Sequence, residues 1–267
     1  MSLALLITPH VPYLRRYARA VTGSQESGDA YVQAAIEAII EDADIFARDI
    51  NPRTALFKVF LSIWNSVEVN NAADGGSGDP RLSLVDRRLS ILTPRSRQAF
   101  LLVYVEDFSP KNAAASLDVS DEELQQLLTT ARTEMAAQVV SDVLIIEDEP
   151  LIAVDIEDVA TSLGHRCIGI ARTKTEAIEI CADKKPGLVL ADIQLADGSS
   201  GIDTVNELLT QFEAPVIFIT AYPERLLTGE KPEPAFLMTK PFQPEQLRAI
   251  ISQALFFEQN ASIREAS

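Results

Sequence analysis

Cysteine, histidine and tryptophan are scarce in this 267-residue chain, with two, two and one copies. Cys167 and Cys181 form neither a CxxC pair nor another metal-ligand spacing, and two thiols are too few for a disulfide framework. Reduced thiols in a cytoplasmic protein are the expected state. His10 and His165 have no Cys or acidic partner at useful spacing, which leaves little for a zinc or haem site. Surface or cap positions are expected for both. Basic residues are in deficit too, with 23 Lys+Arg against 39 Asp+Glu and a formal charge of −16. Such a chain repels phosphates, which argues against nonspecific binding to DNA, RNA or an anionic membrane. Long apolar runs are missing as well. Met1 to Ile7 lacks a basic flank and is too short for a signal peptide or a membrane span. What remains is 47% hydrophobic residues, enough for proper cores, in a length that suits two domains.

The texture changes near position 140. Residues 1–140 carry 13 basic and 18 acidic side chains, whereas residues 141–267 carry 10 and 21. The first part reads as helices joined by polar loops. Tyr13 to Val21 and Ala30 to Ile40 have apolar residues at i, i+3 and i+4. Asp29, or Ser27 before it, is expected to cap the second. Asn51-Pro52 opens a helix through Phe57, Phe60, Leu61 and Trp64, whose aromatics read as core. Asn70 to Pro80 is rich in Gly, Asn and Ser and reads as a flexible linker. Leu84 to Leu92 is helical, Thr93-Pro94 starts a further helix through Phe100 and Val103, and Asp107-Phe108-Ser109-Pro110 breaks that helix. A short helix from Asn112 to Leu117, a turn, and a long helix from Asp121 to about Gln138 make a helix-turn-helix outline, with Ser120 and Glu123 as a capping box. The domain boundaries expected are 1–68, a linker at 69–83, 84–139, 141–258 and a tail at 259–267.

The second part alternates strands and helices. Val143–Ile146, Cys167–Ala171, Leu188–Ala191, Val216–Thr220 and Ala235–Met238 are short apolar runs with helical patterns between them. Five such repeats imply an α/β doubly wound (βα)5 domain with a parallel sheet. Ligands in that architecture sit beyond the carboxyl ends of the strands. The residues there are Glu147-Asp148-Glu149, Asp192, Thr220 and Lys240-Pro241. Converging carboxylates repel one another, and a hard divalent cation such as Mg²⁺ relieves that repulsion. A carboxylate left partly free beside Mg²⁺ can attack a phosphoryl group, with Thr220 and Lys240 binding its oxygens. A phosphohydrolase would need a second Asp two positions after the nucleophile, where Gln194 stands.

This constellation resembles the receiver domain of two-component response regulators over about residues 141–258. The resemblance makes Asp192 the phosphoacceptor, Thr220 the switch hydroxyl and Lys240 the lysine of the Lys-Pro pair. It makes Glu147, Asp148, Asp192 and the main-chain carbonyl of Gln194 the Mg²⁺ site. The acidic pair is Glu-Asp rather than Asp-Asp. Leu237 replaces the aromatic often found three residues before the lysine, so Tyr222 and Phe236 are the switch aromatic candidates. Such a domain accepts phosphate from a sensor histidine kinase and is not an enzyme beyond slow autodephosphorylation.

The helical part resembles extracytoplasmic-function sigma factors, with a region 2-like lobe between Tyr13 and Val67 and a region 4-like lobe from Leu92 to Met135. A DNA reader needs basic residues toward phosphate and Arg, Lys, Asn or Gln toward base edges. Residues 110–137 offer Lys111 and Arg132 against Asp118, Asp121, Glu122, Glu123 and Glu134. A promoter-binding or RNA-binding regulator is therefore the lesser reading. A sigma-like half followed by a receiver is similar to the PhyR-type general stress response regulators of alphaproteobacteria. Pro12 to Ser24 and Asp192 to Gly198 carry the closest likeness. The resemblance implies an anti-anti-sigma regulator. Unphosphorylated, the receiver packs on the sigma-like half; phosphorylation of Asp192 frees that half to sequester a NepR-type anti-sigma factor and release the sigma factor.

Overall fold

A computed structural model describes residues 3–73, 94–136, 140–195, 197–222 and 234–265. The chain forms two units, residues 1–131 and 132–267. Among the described residues the first unit is helical: α1 (Leu3–Ile7), α2 (Val11–Thr22), α3 (Gln25–Glu41), α4 (Pro52–Ala73), α5 (Arg95–Tyr104), α6 (Pro110–Leu117) and α7 (Asp121–Ala136).

The cap of α3 differs from the sequence expectation. Ser24 takes that place, its Oγ accepting from the Ser27 N–H at 3.4 Å, so α3 starts a turn earlier. Asp29 instead accepts from Arg15 Nη2 and Arg19 Nη2 of α2, each at 2.9 Å. Gly28 explains the displacement: a Cβ there would lie 2.8 Å from the backbone nitrogen of Arg19, so α2 and α3 approach closely at this point. Asn51 caps α4 through the Arg53 N–H at 2.9 Å. That helix runs on to Ala73, so positions 70–73 are helical rather than linker. A helix nucleated in a buried stretch adds residues easily, and local propensity is a weak prior against it. The rest of the expected linker and the Leu84–Leu92 helix lie outside the described residues. Asp118, at φ +56, closes α6, and Ser120 Oγ caps α7 by accepting the Glu123 N–H at 3.1 Å, which completes the helix-turn-helix outline. Phe57, Phe60 and Trp64 are buried, with the Tyr17 ring 5.3 Å from Phe57 and 5.9 Å from Phe60.

In the second unit, runs such as Leu188 to Ala191 are too short for helices and have no polar face, so they form strands buried on both sides. The elements are β1 (Asp142–Ile146), α8 (Pro150–Ser162), β2 (Arg166–Ala171), α9 (Lys174–Asp183), β3 (Leu188–Ala191), α10 (Gly201–Leu208), β4 (Val216–Thr220), β5 (Phe236–Thr239) and α11 (Pro244–Glu265). The strands form one parallel sheet in the order β2-β1-β3-β4-β5. The order reverses between β1 and β3, which opens a crevice beyond their carboxyl ends. Helix α11 continues through residues 259–265, where a tail was expected. The weak helical pattern from Pro223 to Thr228 falls outside the described residues.

His165 occupies a cap and is buried, not on the surface. Its N–H returns to Ala160 O and the Gly164 N–H to Thr161 O, a Schellman turn with Gly164 at φ +88. That turn folds the imidazole inward, where Nδ1 accepts the Ser141 N–H at 3.3 Å. Among the described residues, no helix is long and apolar enough to cross a membrane.

Candidate functional site

The sheet brings the side chains of Glu147, Asp192 and Lys240 to one place. Glu147 N–H bonds to Ala171 O at 2.9 Å and Asp192 N–H to Ile146 O at 2.8 Å, so both acids stand where β1 and β3 end. Lys240 N–H bonds to Thr220 O at 2.8 Å and so continues the β4–β5 ladder. The Lys240–Pro241 peptide is cis. From there Lys240 Nζ reaches Asp192 Oδ2 at 2.6 Å and Glu147 Oε2 at 2.7 Å. Asp192 Oδ1 accepts from the N–H groups of Ile193 and Gln194. Glu147 Oε1 accepts the Glu149 N–H at 3.3 Å. The extra methylene of Glu147, relative to an aspartate, lets it touch both the lysine and its own turn.

Charge in the crevice is unbalanced. Carboxylate oxygens of Glu147, Asp148 and Asp192 lie within 4.8 Å of one another. Burial pushes the Glu147 carboxyl above the usual range; Lys240 pulls it back, and the negative charge of Asp192 adds to the rise. Burial alone would lower the Lys240 ammonium, but its hydrogen bonds and charge contacts with Asp192 and Glu147 outweigh that and raise it. One ammonium among these acids leaves room for a divalent cation. A set of hard oxygen donors with an uncompensated negative charge fits Mg²⁺. Gln194 pairs with Ser200 in an isolated antiparallel bridge whose bonds run from Gly201 N–H to Ile193 O and from Leu195 N–H to Ser199 O. The bridge therefore does not consume the Gln194 carbonyl.

Thr220 is buried, and its Oγ1 accepts the Tyr222 N–H at 3.1 Å. The two aromatic candidates differ sharply in setting. Tyr222 is about half exposed (47%) beside the site, whereas Phe236 is buried at the start of β5 with its ring 6.2 Å from Phe257. Glu149 was read only as part of the acidic turn, and two further participants, Arg172 and Gly201, escaped the sequence reading. Glu149 Oε1 stands 3.8 Å from Lys240 Nζ. Arg172 Nη2 donates to Asp148 O at 3.3 Å. Gly201 lies so close to Asp192 that a Cβ would sit 1.7 Å from its carbonyl oxygen. Position directly after β2 was the available signal for Arg172; nothing local marks Gly201.

Comparison with known proteins covers both units. Residues 7–61 match the family model of the sigma2 domain of PhyR, residues 89–138 that of the PhyR sigma-like domain, and residues 143–252 that of the response regulator receiver domain. The chain is 55% identical over its whole length to the phyllosphere-induced regulator PhyR of Methylorubrum extorquens, covering 99% of that protein. The response regulator PhyR from Brucella abortus has a crystal structure 51% identical over 99% of this chain and 98% of its own, with a TM-score of 0.87. The anti-anti-sigma factor PhyR from Bartonella quintana is 51% identical over 99% of this chain and all of its own, with a TM-score of 0.86. The Bartonella protein is also known complexed with the anti-sigma factor NepR, at 50% identity over 96% of this chain and all of that one, with a TM-score of 0.42. With a sigma-like region followed by a receiver, and likeness along its whole length, the chain belongs to the PhyR family of response regulators.

Proposed function

We propose that this protein is a phosphorylation-controlled anti-anti-sigma regulator of a general stress response. Asp192 accepts the phosphoryl group: one carboxylate oxygen attacks the phosphorus of a sensor kinase's phosphohistidine, and the P–N bond breaks. Glu147, Asp148, Asp192 and the Gln194 carbonyl would hold Mg²⁺, which when bound offsets the charge of both carboxylate and phosphoryl group. Lys240, already 2.6 Å from Asp192 Oδ2, pairs with the new phosphoryl oxygens, and the Thr220 hydroxyl turns from Tyr222 N–H to donate to them. Tyr222 follows that turn, being tied to Thr220 and half exposed. The phosphorylated receiver then ceases to withhold the sigma-like half, which captures a NepR-type anti-sigma factor and thereby frees the sigma factor.

The observation that carries this reading is whole-length likeness to a protein named an anti-anti-sigma factor. Local chemistry agrees with it. Asp121, Glu122 and Glu123 are all exposed in the first turn of α7, the turn a promoter-reading helix would present to phosphates. They suit a basic protein partner better than DNA. The test is capture of a purified anti-sigma factor with and without beryllofluoride and Mg²⁺. Capture should require the mimic in the unaltered chain and be lost in Asp192→Ala. Capture that ignores the mimic would remove Asp192 as the switch, and tight promoter binding by the activated chain would favour the DNA reading.

A further inference from the structure

Three charged side chains from separate elements meet inside the first unit, and none belongs to the crevice of the receiver. Glu106, just past α5, has a fully buried side chain. Arg16 of α2 grips it with two bonds, Nε to Oε1 at 2.8 Å and Nη2 to Oε2 at 3.0 Å. Arg53 of α4 adds Nη2 bonds to Oε2 at 2.9 Å and to the main-chain oxygen of Glu106 at 2.7 Å. Aromatic rings hold the arginines in place. The Arg53 guanidinium lies 4.5 Å from the Phe108 ring and 5.1 Å from Tyr13, and that of Arg16 lies 5.6 Å from Tyr13. Burial would lower the Arg16 pKa, yet the contacts with Glu106 raise it, so the guanidinium stays charged.

The two arginines stand in the stretch matching sigma2 and the glutamate in the stretch matching the sigma-like domain. Neighbouring bonds cross the same seam: Tyr17 OH donates to Gln98 O at 3.2 Å, and Ser116 Oγ to Thr54 O at 3.3 Å. A buried Arg–Glu–Arg triad is poor at adding net stability over a hydrophobic filling of equal volume. What it supplies is direction. Planar, two-pronged bonds to one carboxylate fix angle and translation together, whereas apolar side chains slide past one another.

We propose that Glu106 is a positioning residue for partner capture: held by Arg16 and Arg53, it sets the register of the two sigma-like lobes, so the surface offered to the anti-sigma factor is a composite of both. This rests on the anti-anti-sigma reading above. A partner that spans both lobes binds tightly only if their register is already correct, since otherwise binding must order it.

The test uses the full chain with Cys167 and Cys181 replaced by Ala, and spin labels at the exposed positions of A30C and K111C. The distance between labels should be narrow in this background. It should broaden or shift in R16M/R53M/E106L, while helix content and the thermal transition stay near those of the background. E106Q, which keeps the size and one acceptor, should broaden it less. Affinity of the beryllofluoride-activated chain for the purified anti-sigma factor should fall at least about tenfold in the triple variant. The exposed pair Lys58–Asp118 is the control, and D118N should change neither reading. An unchanged narrow distance in both Glu106 variants, or unchanged affinity, overturns the proposal. Failure of the unaltered activated chain to bind would instead sink the anti-sigma reading, and the distances would still decide the register.

Discussion

A methyl group at position 201 has nowhere to go. Built on Gly201, it would overlap the carbonyl oxygen of Asp192 at 1.7 Å, and that oxygen belongs to backbone that cannot swing aside. Gly201→Ala should therefore cost about 1–3 kcal/mol in receiver stability, as overpacking does, or more. It should also weaken beryllofluoride uptake by moving Asp192; urea unfolding and fluorescence titration measure the two effects, and normal uptake would show that Asp192 tolerates the shift. His165 makes a second residue-scale prediction. Burial holds its imidazole below the ordinary 6.5, so as pH falls the unfolded chain takes up the proton first. Stability is thus fully present above that ordinary value, falls as the pH drops through it, and levels off once the folded histidine also protonates. His165→Gln keeps an acceptor for the Ser141 N–H without titrating, so its unfolding curve should lose less stability between about pH 7.5 and pH 5. Asp192 and Lys240 were legible in the sequence because strand ends force their convergence. Gly201 was not, because its requirement arises from a neighbour nine positions away that only the folded loop brings near.

Elements were legible to differing degrees, for physical reasons. Strands β3 and β4 stand where their apolar runs begin and end, since a strand covered on both faces selects a nearly continuous apolar run. Helix ends depend on which side chain reaches an orphan N–H, and several candidates compete. Ser24 displaced Asp29 at α3, yet Ser120 holds the α7 cap as the spacing to Glu123 indicated. Ser120→Ala should cost about 1 kcal/mol in the helical unit, read as a lower unfolding midpoint with unchanged helix content. An unchanged midpoint would mean that water or a neighbour caps α7 equally well. The seam of Arg16, Arg53 and Glu106 joins elements up to 90 positions apart, and nothing in the local sequence of any one of them announces the other two.

At the scale of the molecule, charge and architecture divide the same way. Residues 141–267 carry 21 acids against 10 bases, and the acids at the ends of β1 and β3 outnumber the one lysine among them. A cation bound there stabilises only the folded receiver, by RT ln(1 + [L]/Kd), or about 2.7 kcal/mol at a hundredfold excess over Kd. The carboxylates of the site all belong to the receiver unit. Unfolding the full chain at rising Mg²⁺ should therefore shift the transition of β-sheet loss upward. Asp192→Ala removes one ligand and one repelling charge together, so the apo receiver should change little while the Mg²⁺-dependent shift shrinks. Lys240→Ala should do the reverse: without its ammonium the carboxylates of Glu147 and Asp192 face each other unpaired, so the apo receiver loses stability and Mg²⁺ restores a larger share. Calorimetry of the three proteins across a Mg²⁺ titration decides the matter. Equal shifts in all three would place the bound cation somewhere other than this crevice.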